Sequence, residues 1–139
     1  MFKNKIASLE ARIARLELRI SSINSNPTYE EYLSYLGNLE KYLSSYFEYH
    51  DRFQFVIPKT NPYPPKIIGY EYDMGMSKKS NIVITAEAPF LKIDVNTAHS
   101  IREKNCSKKI ITDFFDYSES SFDDVRVALM SCIRQVHKP

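Results

Sequence analysis

The chain has 139 residues, 43% of them hydrophobic and 26% charged, with a formal net charge of +2. That length allows one ordinary domain or a smaller domain with a helical extension, and the balance is that of a folded chain and not of a disordered one. So small a net charge excludes a domain-wide electrostatic footprint for nucleic acid, and no apolar run approaches the roughly 18 residues a membrane span needs.

Residues 2–23 carry apolar side chains at Phe2, Ile6, Leu9, Ile13, Leu16, Ile20 and Ile23. The spacing alternates four and three, the a/d seam of a coiled coil, with Ile at every a position and Phe2, Leu9, Leu16 and Ile23 at d. Lys5 and Arg12 fall at g, opposite Glu10 and Glu17 at e of the next heptad, so both g-to-e′ pairs attract. Residues 1–24 are therefore read as an oligomerisation helix and residues 25–139 as a small α+β domain. Asn24-Ser25-Asn26-Pro27 ends the first helix.

Thr28-Tyr29-Glu30-Glu31 reads as a capping box and opens a second helix over 28–50, bridging the two parts. Its stripe is Tyr29, Tyr32, Leu36, Leu39, Leu43 and Tyr46, widened by Leu33 and Phe47, with Tyr35, Tyr42 and Tyr49 a further row. A face this wide predicts burial on two sides, between the first helix and the domain body. Gly37 costs about 1 kcal/mol relative to Ala inside a helix, which suggests a close contact there.

From residue 52 the period changes to two. Phe53, Phe55 and Ile57 mark a strand, residues 58–65 a proline-rich extended loop, and residues 66–72 a second strand with Ile68, Tyr70 and Tyr72 on one face. Residues 73–80 read as a flexible lysine-bearing loop. Ile82, Ile84 and Ala86 make a third strand and Leu91, Ile93 and Val95 a fourth, joined by a tight hairpin at Glu87-Ala88-Pro89. Asn96 reads as the N-cap of a short helix over 97–104 closed by Asn105, residues 110–115 as a fifth strand, and Ser121 as the cap of a last helix over 122–137. The last helix has the stripe Phe122, Val125, Leu129, Cys132, Ile133 and Val136. The expected fold is α+β: an N-terminal coiled-coil helix and a second helix, then a mostly antiparallel four- to five-stranded sheet with two further helices.

Phe55-Val56-Ile57-Pro58 through Tyr63-Pro64-Pro65-Lys66-Ile67 resembles the strand, Tyr-Pro-Pro loop and strand of ubiquitin-conjugating-like and RWD domains. Those domains also place a helix before a four-stranded meander, which is the order the resemblance implies here. The His-Pro-Asn motif before the conjugating enzymes' catalytic cysteine is absent, so no activity carries over.

No motif supplies a catalytic, cofactor or metal site. His50-Asp51 sits at a helix end, where an imidazolium complements the dipole; His99 and His137 are isolated from any ligand set. Cys106, flanked by Lys104, Lys108 and Lys109, reads as a loop cysteine in a solvated basic turn, with a reactive thiol as the sharper alternative. Cys132 reads as a small core residue. Two cysteines and a charged, periodic N-terminus point to a reducing setting without a signal peptide: the cytoplasm, or a virion if the protein is viral.

The function this predicts is a non-enzymatic structural or interaction protein that assembles through its N-terminal coiled coil, as in a subunit of a larger phage or viral assembly. The alternative is a small regulatory adaptor binding a peptide or nucleic acid through a basic edge at Arg102, Lys104, Lys108 and Lys109. Nucleic acid is the less expected partner, because the aromatic residues concentrate on the acidic second helix. No membrane partner is expected. Three heptads alone make a marginal coil, so the first helix is expected to fold back on the second while its open edge forms a homo-oligomer, dimer before trimer.

Overall fold

The structure, a computed structural model, describes residues 27–47, 53–73, 77–97 and 104–137. The heptad seam from Phe2 to Ile23, and with it the expected helical hairpin, lies outside the described residues, as do His50, Asp51, His99 and Arg102.

Helix α1, Tyr29–Tyr46, begins at the expected capping box. Thr28 Oγ1 accepts from the Glu31 amide at 3.2 Å, and Glu31 Oε1 accepts from the Thr28 amide at 2.9 Å. Five antiparallel strands follow, β1 Phe53–Val56, β2 Lys66–Asp73, β3 Ser77–Glu87, β4 Phe90–Thr97 and β5 Asn105–Ile111, and helix α2, Glu119–Val136, closes the order. The sheet order is β1-β2-β3-β4-β5, so every strand pairs with its neighbour in sequence. Such a meander needs only short reversals. The tightest joins β3 to β4, where Glu87 pairs with Phe90 across Ala88 and Pro89. The peptides before Pro64 and Pro89 are cis.

One face of the sheet carries the core. Phe55, Ile67, Ile82, Ile84, Ala86, Leu91, Ile93, Val95 and Cys106 alternate inward and are buried. Above them α1 covers β1 and β2, and α2 covers β4 and β5. Tyr32, Leu36, Leu39 and Leu43 of α1 and the whole expected α2 stripe join this one cluster. The row of Tyr35 and Tyr42 is spent between the helices: both rings lie against Phe122, at 5.6 and 5.5 Å between centroids, and the Tyr42 hydroxyl donates to Asp123. Phe114 wedges edge-on between Tyr32 and Tyr35 at 5.0 and 5.1 Å.

Several expectations need correction. Two helices are described, not four, and the short helix over 97–104 is not seen where its ends are described. Thr97 stays in β4, and its amide donates to the Lys104 carbonyl at 3.1 Å, while Asn96 pairs with Asn105 across the ladder. Capping chemistry at Asn96 lost to hairpin pairing, which requires extended backbone on both sides. Asn105 accordingly starts β5 and does not close a helix. The fifth strand runs over 105–111 and not 110–115, because the ladder with β4 fixes its register at Phe90↔Ile111. The cap of α2 is Ser118, whose Oγ accepts from the Ser121 amide at 3.3 Å. Residues 77–80, expected in a loop, belong to β3.

Gly37 also differs from expectation: a Cβ there would meet nothing within 4 Å among the described residues. Gly37→Ala should therefore raise stability by about 0.5–1 kcal/mol through helix propensity alone. A loss in urea denaturation would show instead that another segment packs closely on this turn of α1.

Candidate functional site

The chemistry-bearing residues gather at three places on this frame. The first lies under the C-terminus of α2. Glu71 of β2 and Ser80 of β3 are cross-strand partners on the core face, and both are fully buried. A register shift between Glu71 and Tyr72 pairs Tyr72 with Lys78 and leaves Lys79 as the extra residue. Its ammonium lies 3.8 Å from Glu71 Oε1. His137, the C-cap of α2, brings Nε2 to 3.0 Å from Glu71 Oε1 and 3.2 Å from Ser80 Oγ. A carboxylate, an imidazole and a hydroxyl thus meet, but on one ring nitrogen. Activating a hydroxyl needs the acid on one nitrogen and the hydroxyl on the other. The arrangement instead fastens the end of α2 to β2 and β3 and sets an imidazole and an ammonium at Oε1 of a buried carboxylate.

Sequence reading treated His137 as isolated and missed Glu71 and Ser80. The signal was present in the alternation Ile67, Gly69, Glu71, the face opposite Ile68, Tyr70 and Tyr72. The partner of Glu71, Ser80, falls in a stretch without strand alternation, so only the β2–β3 pairing brings the two together.

The second place is the edge strand β5. Cys106 is not a loop cysteine: it is buried on the core face, with Sγ 2.8 Å from Cys132 Sγ and 3.0 Å from Gln135 Oε1. The expected basic edge is divided by the pleat. Lys108 shares the helix-facing side and donates to Ser131 Oγ at 2.7 Å, whereas Lys109, on the other side, stands 5.6 Å from the Phe90 ring. Lys104 precedes the strand, its amide donating to Thr97 Oγ1 at 3.1 Å. Lysines on an edge strand also discourage pairing with another sheet, a structural role that needs no ligand.

The third place is an acidic cleft of about 280 Å³ where β5 meets the first turns of α2, walled by Ile111, Thr112, Asp113, Asp116, Ser121 and Asp124. Two of its carboxylates are used locally: Asp113 Oδ1 accepts from the Phe115 amide and Asp116 Oδ1 from the Ser118 amide, each at 3.0 Å. No group of three His, Cys, Asp or Glu side chains suited to a metal ion occurs among the described residues. No described helix is long and apolar enough to cross a membrane.

The chain matches no protein-family model, no curated protein and no solved structure.

Burial raises the pKa of three groups in the core. It is the largest cause that pushes the Cys132 thiol up to about 12 from an ordinary 9.0, followed by the hydrogen bond and charge interaction with Cys106. Burial likewise raises the Tyr32 and Tyr35 hydroxyls above their ordinary 10.0. In each case the folded state holds its proton longer than the unfolded one. Between the two pKa values the unfolded chain binds fewer protons, so stability falls as pH rises. Thermal scans should show stability intact below about pH 9, declining above it as Cys132 and then the tyrosines ionise on unfolding. Cys132→Ala should flatten the first part of that decline. A melting temperature unchanged through about pH 11 would contradict the burial of these groups.

Proposed function

We propose that the protein is a non-enzymatic interaction protein: an α+β body carried by an N-terminal segment that pairs with a second copy of the chain, as a subunit of a larger assembly such as a phage or viral particle would. The observation that carries this reading is the seam Phe2, Ile6, Leu9, Ile13, Leu16, Ile20 and Ile23, with Ile at a, Leu at two of its d positions and attracting g-to-e′ charges. The body adds support. Tyr32, Leu36, Leu39 and Leu43 of α1 are engaged in the core, and Tyr35 and Tyr42 against α2, so these side chains already have partners within the body. Seven large apolar side chains at coiled-coil spacing call for a partner surface, and a second copy offers a matching one. The adaptor alternative has less support, since Lys108 and Lys109 fall on opposite faces of β5.

Sedimentation equilibrium tests the reading directly. The intact chain should be a dimer at micromolar concentration, and Ile13→Asp, which puts a charge in the seam, should make it monomeric while leaving the near-ultraviolet signal of the body unchanged. A wild-type chain that stays monomeric at high micromolar concentration would overturn self-association.

A further inference from the structure

We infer that Cys106 and Cys132 are a disulfide-forming pair that joins the edge strand of the sheet to the C-terminal helix when a low-molecular-weight disulfide is present. Their sulfurs lie 2.8 Å apart, inside the ~3.5–4.0 Å separation of ordinary non-bonded heavy atoms. They are brought there from elements 26 residues apart in the chain. The positions are fixed independently. Cys106 pairs with Val95 in the β4–β5 ladder, and Cys132 sits on the α2 stripe between Leu129 and Val136. Neither side chain needs a new rotamer to face the other, because each already points into the same layer.

Access favours one order of reaction. Cys106 lies on an edge strand paired on one side only and is 7% exposed, whereas Cys132 is sealed. Local opening of a sheet edge requires less than global unfolding, so Cys106 meets the oxidant first. Its thiolate attacks one sulfur of the small disulfide RSSR and releases RSH, which takes up the proton Cys106 lost. The Cys132 thiolate then attacks Cys106 Sγ in the mixed disulfide and releases the second RSH with the Cys132 proton. The protein loses two electrons and two protons, and RSSR is reduced to two RSH. Because burial holds Cys132 protonated, closure speeds up with rising pH. The product closes a loop running from β5 through α2 and restrains the unfolded chain, which raises the melting temperature by an amount on the order of 10 °C.

The test treats the full chain, folded, with oxidised glutathione over a range of pH. Intact mass should fall by two hydrogens, a peptide map without reductant should link the segments holding Cys106 and Cys132, and the melting temperature should rise and return on reduction. Cys132→Ser should stop at a glutathione adduct on Cys106. Two results would overturn the inference: a stable adduct in the wild-type chain without closure, or closure seen only after urea is added. A lower melting temperature in the closed form would overturn its role as a staple.

Discussion

Phe55→Ala should cost about 3–5 kcal/mol in chemical denaturation, as truncation of a buried phenylalanine does. Phe55 is the buried residue of β1, and its ring lies against both a helix and a strand. It lies 6.0 Å from the Phe47 ring at the end of α1 and 6.5 Å from Phe53. It also covers Gly69, its cross-strand partner. A Cβ on Gly69 would stand 2.8 Å from Phe55 Cδ1 and 3.2 Å from Ile82 Cβ. The glycine is what lets the ring lie flat on β2. Gly69→Ala should therefore destabilise the wild-type protein but much less the Phe55→Ala variant, a coupling of about 1 kcal/mol or more between neighbours that share one space. A Phe55→Ala loss within measurement error, or additive effects of the two substitutions, would show that this side of β1 is not core.

Tyr35→Ala should have an effect of similar size, about 3–5 kcal/mol, for a different reason. Tyr35 has no exposed surface, and its ring meets Phe114, Tyr117 and Phe122 at 5.1, 6.2 and 5.6 Å. It is the point where α1, α2 and the turn after β5 come together, so truncation opens a void lined by three elements. The hydroxyl contributes little by comparison. It is buried without a well-formed hydrogen bond, and Ser121 is close enough only to offset part of the effect of burial on its pKa. Tyr35→Phe should change stability by less than about 1 kcal/mol, in either direction. It should also remove part of the alkaline decline, because the group that ionises in the unfolded chain is gone. A large loss in Tyr35→Phe would mean that the hydroxyl holds the helix pair together, and that the aromatic ring is not the main contribution.

Both results bear on how the proposed assembly would behave. If the seam serves assembly alone, the body should keep its fold when the N-terminal seam is disrupted. Stability and oligomeric state would then respond to different substitutions, Phe55 and Tyr35 for the first and Ile13 for the second.

The sequence by itself determined those elements whose signals are local. The capping box at Thr28 and Glu31, the alternation of Ile82, Ile84 and Ala86 with Leu91, Ile93 and Val95, the turn at Ala88-Pro89 and the α2 stripe from Phe122 to Val136 all stand in the structure as the spacing implied. Each depends on hydrogen bonds or periodicity within a few residues. The order of a helix before an antiparallel meander, implied by the Tyr-Pro-Pro segment, also stands, with one strand more. What only the tertiary structure decided depends on pairing across the chain. Asn96 could have capped a helix, but β5 offered it Asn105. Ser121 read as the cap of the last helix, but Ser118, whose amide donates to Asp116, takes that place and accepts from the Ser121 amide. Cys106 looked solvated because its sequence neighbours are lysines, yet a strand sends alternate side chains to opposite faces, so its neighbours in space are Val95, Cys132 and Gln135. The same pleat divided the basic edge, and the bulge at Lys79 set an ammonium beside a buried glutamate, a pairing that depends on the β2–β3 register.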